Sequence, residues 1–216
     1  MSATKSRDRE ETKALLIESV GDVIARDGYG AVGVNAVARA AGVDKVLIYR
    51  YFGGFPELLQ AFGEEADFWW QVDDLLPPGG LSLQHDDLAA SLTLIFEGHL
   101  NFLRHHPVTL EILAWEMTDR NELTIALEYV REQRSLELMR RLLEQYGQTN
   151  REAMVHFGPV MALLGGAAQY LATRARHIKT FNGLDLQSDR GWQQMLSAVD
   201  LMLAGIVTAP LKGDAP

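Results

Sequence analysis

Side chains suited to acid–base or metal chemistry are few in this sequence and poorly spaced for it. His99, His105 and His106 share a stretch with Glu97 and Glu111, and His99 and His106, seven residues apart, fall on one face of a helix. Neither H-x-x-x-H nor E-x-x-H, the spacings that aim two ligands at one metal, occurs. The adjacent pair sits at a helix end before Pro107, where imidazoles face solvent or the negative end of the helix dipole. The chain has no cysteine, "FEGHL" is not a nucleophile turn, and "LLGGAA" lacks the lysine and spacing of a phosphate loop. These absences predict no enzyme, no metal site and no cofactor.

A different chemistry is spelled by "AGVDKVLIYRYF", residues 41–52. At 100° per residue, Ile48 and Phe52 fall together and can pack inward with Val43. Val46, Leu47, Arg50 and Tyr51 fall on the opposite side, apolar and basic together, which suits a surface that a ligand covers. Val46 and Leu47 have the chemistry to meet thymine methyls, and Arg50 to reach guanine or a phosphate. Lys45 and Tyr49 flank them, placed to hold backbone phosphates.

The elements that must position this face can be read on either side of it. Leu16, Ile17, Val20, Val23 and Ile24 predict an amphipathic helix over 12–26, stopped at "DGYG". Val34, Val37, Ala38 and Ala41 predict two turns ending at Gly42. Asp44 then caps the helix carrying the exposed face, and Pro56 opens a fourth. Two short helices joined by a tight glycine turn and packed under a first helix make a helix-turn-helix, whose second helix enters a DNA major groove. Beyond the "LLPPGGLS" loop the pattern is helical throughout, without strand alternation. Helices are expected over 86–106, 107–118 and 119–146. A longer one opens at a Thr149–Glu152 capping box, bends at Pro159 and runs to about Lys179, and a last one covers 189–208. The expected architecture is all-α, a three-helix helix-turn-helix domain at 1–55 and a larger helical domain at 56–216.

The segment "AVARAAGVDKVLIYRYFGGFPELLQAF", with the preceding "GYGAVGV", resembles the N-terminal DNA-binding domain of tetracycline-repressor (TetR) family regulators, over about residues 16–62. The resemblance rests on the Ala-Ala-Gly-Val turn at 40–43, the Tyr49–Phe52 helix end, and Leu58 and Leu59. It implies a ligand-responsive transcriptional regulator, a repressor released from a double-stranded DNA operator by a small molecule. The sequence departs from the family pattern in three places. Gly33 stands where the family usually has Ser or Thr, Val46 and Leu47 where it has Gly and a small polar residue, and Phe55 where it has lysine. The first and last remove phosphate contacts and predict a shallow salt dependence of operator binding; the second predicts more apolar base readout.

The resemblance further implies that the second domain dimerises through its last two helices and holds an effector among the middle ones. Gly165, Gly166, Ala167, Ala168, Ala198, Ala204 and Gly205 suit a four-helix interface between two copies, which would hold two recognition helices roughly 34–36 Å apart. They would equally suit close helix contacts within one subunit. Aromatic residues cluster at Phe68, Trp69, Trp70, Phe96, Phe102, Trp115 and Tyr170 around His99. Trp69, Phe96, His99, Phe102, Trp115 and Tyr170 are the candidate contacts for a largely apolar effector, although a stripe of this kind also serves as plain core.

Charge bears on the partner. The chain carries a net charge of -9, yet residues 1–60 hold eight Lys+Arg against eight Asp+Glu, leaving the whole imbalance, 12 − 21 = -9, to the remainder. Arg39, Lys45 and Arg50 face only Asp44 between 35 and 52, a basic strip on an acidic body. That acidity, with the missing lysine at Phe55, motivates an alternative: a helical dimeric ligand- or protein-binding module with little DNA affinity. The polar opening and the lack of any long apolar run predict a cytoplasmic protein with no membrane partner.

Overall fold

The computed structural model describes residues 2–65, 68–76, 88–149 and 151–208. Its helices are α1 (Ser2–Asp27), a 3-10 turn (Tyr29–Ala31), α2 (Val34–Ala40), α3 (Val46–Phe52), α4 (Phe55–Glu65), α5 (Val72–Leu75), α6 (Leu88–His105), α7 (Pro107–Glu116), α8 (Glu122–Tyr146), α9 (Arg151–Ala175) and α10 (Asp189–Thr208). Strands β1 (Thr180–Phe181) and β2 (Leu184–Asp185) form an antiparallel pair between α9 and α10. The expected proline–glycine loop at 77–80, the helix start at Asp86 and the side chain of Glu152 lie outside the described residues. Among the described residues no helix is long and apolar enough to cross a membrane.

The chain forms two compact units, Met1–Trp69 with Trp115–Gln133, and Trp70–Ala114 with Arg134–Pro216. In the first, α1 turns Leu16, Ile17, Val20 and Val23 into a core shared with Val37 and Ala38 of α2, Ile48 of α3, and Phe55, Leu58 and Leu59 of α4. Gly42 holds φ at 66°, and the Val43 N–H reaches back to the Ala38 carbonyl at 3.0 Å. That left-handed residue and its back-bond close α2 and reverse the chain into α3.

This unit is larger than residues 1–55. A Cβ built on Gly63 would lie 2.9 Å from Leu127 Cδ2 and 3.2 Å from Val130 Cγ2, so α4 and the first half of α8 meet closely there, and a larger residue would have to displace the Leu127 side chain. Tyr29 stacks on Trp115, ring centroids 5.3 Å apart. Arg131 pairs with Glu116 at 2.6 Å and lies over the rings of Phe68 and Trp69. Residues distant along the chain thus pack on α4 beside α1.

In the second unit α6 packs against α5, α9 and α10. Its inward face carries Leu88, Leu92, Ile95, Phe96, Leu100 and Leu103, and the Ser91 hydroxyl is hydrogen-bonded to that of Tyr146 at 2.7 Å in the core. Thr93 donates to Asp200 and Arg104 pairs with Asp189, tying α6 to α10 from the polar side.

Several helix ends differ from the sequence expectation, each for a local reason. Helix α1 starts well before Thr12, because the preceding residues are polar helix formers that carry no apolar period, and the Thr12 hydroxyl donates to the Asp8 carbonyl within the helix. Helix α8 starts at Glu122 rather than Asp119: Asn121 accepts from the Leu123 and Thr124 N–H groups, and Thr124 Oγ1 accepts from the Asn121 N–H. Helix α7 ends at Glu116, and α9 passes through Pro159 and ends at Ala175 rather than near Lys179. The hairpin that follows departs from the all-helical expectation. Asn182 (φ 49°) and Gly183 (φ 84°) make its two-residue turn, an Asn-Gly signal between pairs of residues too short to show alternation.

Candidate nucleic-acid interface

Helix α3 is only seven residues long and is held by its surroundings. The Asp44 carboxylate accepts the Val46 N–H at 2.8 Å, and Ile48 is fully buried as the anchor of the inner face. Lys45 Nζ donates to Asn35 Oδ1 at 3.3 Å, a link from the start of α3 across to α2. Opposite Ile48 the face stands open: Val46 is 60% exposed and Tyr49 53%, Arg50 is exposed, and Leu47 is half-buried. Among the described residues Arg50 has no ion-pair partner, and Arg39 of α2 is exposed nearby in sequence. An isolated Val at such exposure has no packing role in the subunit, while beside free guanidinium and phenol groups it has the chemistry of base-edge contact.

Tyr51 differs from the other five DNA-facing candidates. Half-buried like Leu47, it is the one with a cation on its ring: the Arg9 guanidinium of α1 lies over it, 5.5 Å from the centroid. One turn further along α1, Lys13 Nζ lies 5.7 Å above the Phe52 ring. Sequence periodicity singles out neither cation, since both precede or open the apolar pattern that marks α1; the readable sign is their i, i+4 spacing. Phe55 is buried, so the position where a lysine is usual is turned into the core. Gly33 occupies the N-cap of α2 without any side-chain hydrogen bond.

Residues 21–62 match the family model for bacterial regulatory proteins of the tetR family. By this match residues 21–62 form a tetR-type domain. The match runs from the last two turns of α1 into α4, so the tetR-type domain contains α2, the Gly42 turn and all of α3. The chain is also similar to a curated protein, the HTH-type transcriptional repressor SCO4008 of Streptomyces coelicolor, with 28% identity over 111 residues, 51% of this chain and 52% of that protein. The aligned part thus spans about half of the relative's length.

Outside the tetR-type domain, the six effector candidates are divided between the two units. Trp69 and Trp115 belong to the first unit, where Trp69 lies under Arg131 and Trp115 against Tyr29. Phe96 and His99 are buried on α6, Phe102 stacks on His106 at 3.8 Å, and Tyr170 is 46% exposed with its ring edge against Phe181 of the hairpin. The aromatic that meets His99 is Trp70, whose indole N–H donates to His99 Nδ1 at 2.8 Å. An indole only donates, so Nδ1 accepts and the neutral ring carries its hydrogen on Nε2. Burial pushes the imidazolium pKa down to about 4, so His99 is neutral at pH 7. His105 and His106 each donate Nδ1–H to the carbonyl four residues back, at 2.7 Å. Among the described residues no group of three His, Asp or Glu is arranged to hold a metal.

The small residues of α9 and α10 divide. Ala168 is fully buried inside its own subunit, so it serves a close contact within the chain rather than a surface for a partner. Gly166, Ala198, Ala204 and Gly205 are exposed and Gly165 is half-buried. A Cβ on Gly165, Gly166 or Gly205 would meet nothing within 4 Å.

Proposed function

We propose that the chain is a ligand-responsive transcriptional regulator that binds a double-stranded DNA operator as a homodimer and acts as a repressor. One observation carries the DNA reading: the outer face of α3 leaves Val46, Tyr49 and Arg50 in solvent, within a tetR-type domain whose inner face is sealed by Ile48. Lys45, Val46, Leu47, Tyr49 and Arg50 contact the operator, Lys45 and Tyr49 at phosphates and the others at base edges. The name of the Streptomyces coelicolor relative supports repression as the outcome.

The dimer reading is supported by α9 and α10. Val155 is 63% exposed, Leu163 74%, Leu201 75% and Met202 49%. Apolar side chains and glycines that the subunit does not need, on two helices that pack on each other, form a face suited to its own copy, with Gly165, Gly166, Ala198, Ala204 and Gly205 allowing close approach. The effector reading places a largely apolar molecule against Phe96, His99 and Phe102 of α6, where the neutral imidazole orients it. Such a ligand acts by preferring one conformation, and a coupling of about 1–3 kcal/mol changes operator affinity roughly 5- to 150-fold.

A gel shift with the DNA flanking the protein's own gene tests the proposal. A specific complex resistant to random competitor is the expected result. No complex even at low salt would favour the second reading, a dimeric ligand- or protein-binding module, which the acidic body and the buried Phe55 support.

A further inference from the structure

We infer that Arg9, outside the matched domain, is a DNA-phosphate contact of this protein, and that Tyr51 is the platform positioning it rather than a base reader. The inference rests on the DNA reading above. Arg9 lies on α1 more than two turns before residue 21, where the tetR-family match begins. Helix α1 packs on α3, and it brings the Arg9 guanidinium over the Tyr51 ring at the end of α3. A guanidinium resting on an aromatic ring uses its face on the ring and keeps its in-plane N–H donors for a planar or tetrahedral oxyanion. Arg9 is exposed and has no ion-pair partner among the described residues. Lys13, one turn on and over Phe52, is drawn partly toward Glu10 at 3.6 Å, which makes Arg9 the less neutralised of the two.

Position decides what the free donors meet. When a recognition helix lies in the major groove, its ends and flanks run past the two phosphate backbones. A cation fastened to the α3 end is therefore at a flank, where charge is read and base sequence is not. The ring of Tyr51 is occupied by Arg9 and half-buried, which withdraws it from the groove floor. Arg9 thereby compensates for the phosphate-binding side chains that Gly33 and Phe55 do not supply, so the salt dependence of binding is steeper than those two departures alone imply.

The test is a fluorescence-anisotropy titration of the full chain on its own upstream duplex and on a scrambled duplex, across a potassium chloride series. Arg9→Met should lower the magnitude of the slope of log K against log salt by roughly 0.9 per protomer. The drop in affinity should be equal on both duplexes. Tyr51→Leu, which keeps apolar bulk and removes the π face, should lower the slope as much as Arg9→Met, while Tyr51→Phe leaves it unchanged. A wild-type complex whose slope Arg9→Met does not alter would overturn this inference and leave the DNA reading standing. A wild-type slope lowered by Arg9→Met but not by Tyr51→Leu would overturn the platform role. A wild-type chain that binds neither duplex at low salt would overturn the DNA reading and this inference together.

Discussion

Arg50 and Lys45 sit five residues apart in different settings. Arg50 is exposed on the face opposite Ile48, while Lys45 stands at the helix start, linked to Asn35. Arg50→Ala should weaken operator binding by about 1–3 kcal/mol and relax base preference at one position, whereas Lys45→Ala should weaken binding evenly across sequences. Competition binding against a library of single-base operator variants separates the two. At His99 the consequence is one of stability. Its folded pKa, pushed by burial to about 4 from the ordinary 6.5, means that the unfolded chain takes up a proton which the folded one refuses. The stabilisation from this site is complete above pH 6.5, drains as pH falls toward 4, and loses no more below that. Its size over that window is on the order of 3 kcal/mol. Glutamine can accept the Trp70 N–H without titrating, so urea melts of His99→Gln should show a flatter pH dependence than wild type between pH 6.5 and 4.

Short elements in this protein depend on close packing that their own sequences barely show. The hairpin is two residue pairs long, and its neighbourhood is held by the Trp192 indole N–H donating to the Leu186 carbonyl at 2.9 Å and by Arg104 over the Trp192 ring. Gly191, in the first turn of α10, lies so near the Asp185 carbonyl that an added Cβ would overlap the oxygen. Backbone on both sides leaves no flexible atom to yield. Gly191→Ala should therefore destabilise the second unit by about 3 kcal/mol, read as a lower midpoint in chemical denaturation with unchanged helix content in the native baseline. Helix α3 is held in a similar way, by the Asp44 carboxylate at its start and Ile48 beneath it, since seven residues are too few to be helical alone.

The molecule as a whole is acidic with one local basic region, and its longest helices near the end of the chain leave apolar side chains in water. A self-complementary face repeats every substitution twice. If burying one leucine contributes about 1.5 kcal/mol or more, Leu201→Glu removes at least about 3 kcal/mol from a two-fold dimer and weakens it by a factor on the order of a hundred. Light scattering over a dilution series should show the variant dissociating at concentrations where wild type stays paired. Operator affinity should fall with it, because a monomer presents one recognition helix where two half-sites wait.

Much of this is legible in the residue order. Helices α2, α3 and α4, the Gly42 turn, the Asp44 cap and the inward Ile48 all follow from spacing and turn chemistry within about five residues, because a helix face is a local property of the chain. Pairings between residues far apart in the chain are not legible there. Trp70 rather than Trp69 bonds His99, Ala168 packs inward while Gly166 stays open, and residues 115–133 return to the first unit. Arg9 reaches Tyr51 from a polar stretch that shows no period. Each depends on which of several equivalent faces meets another, and that choice is made by shape and burial in three dimensions.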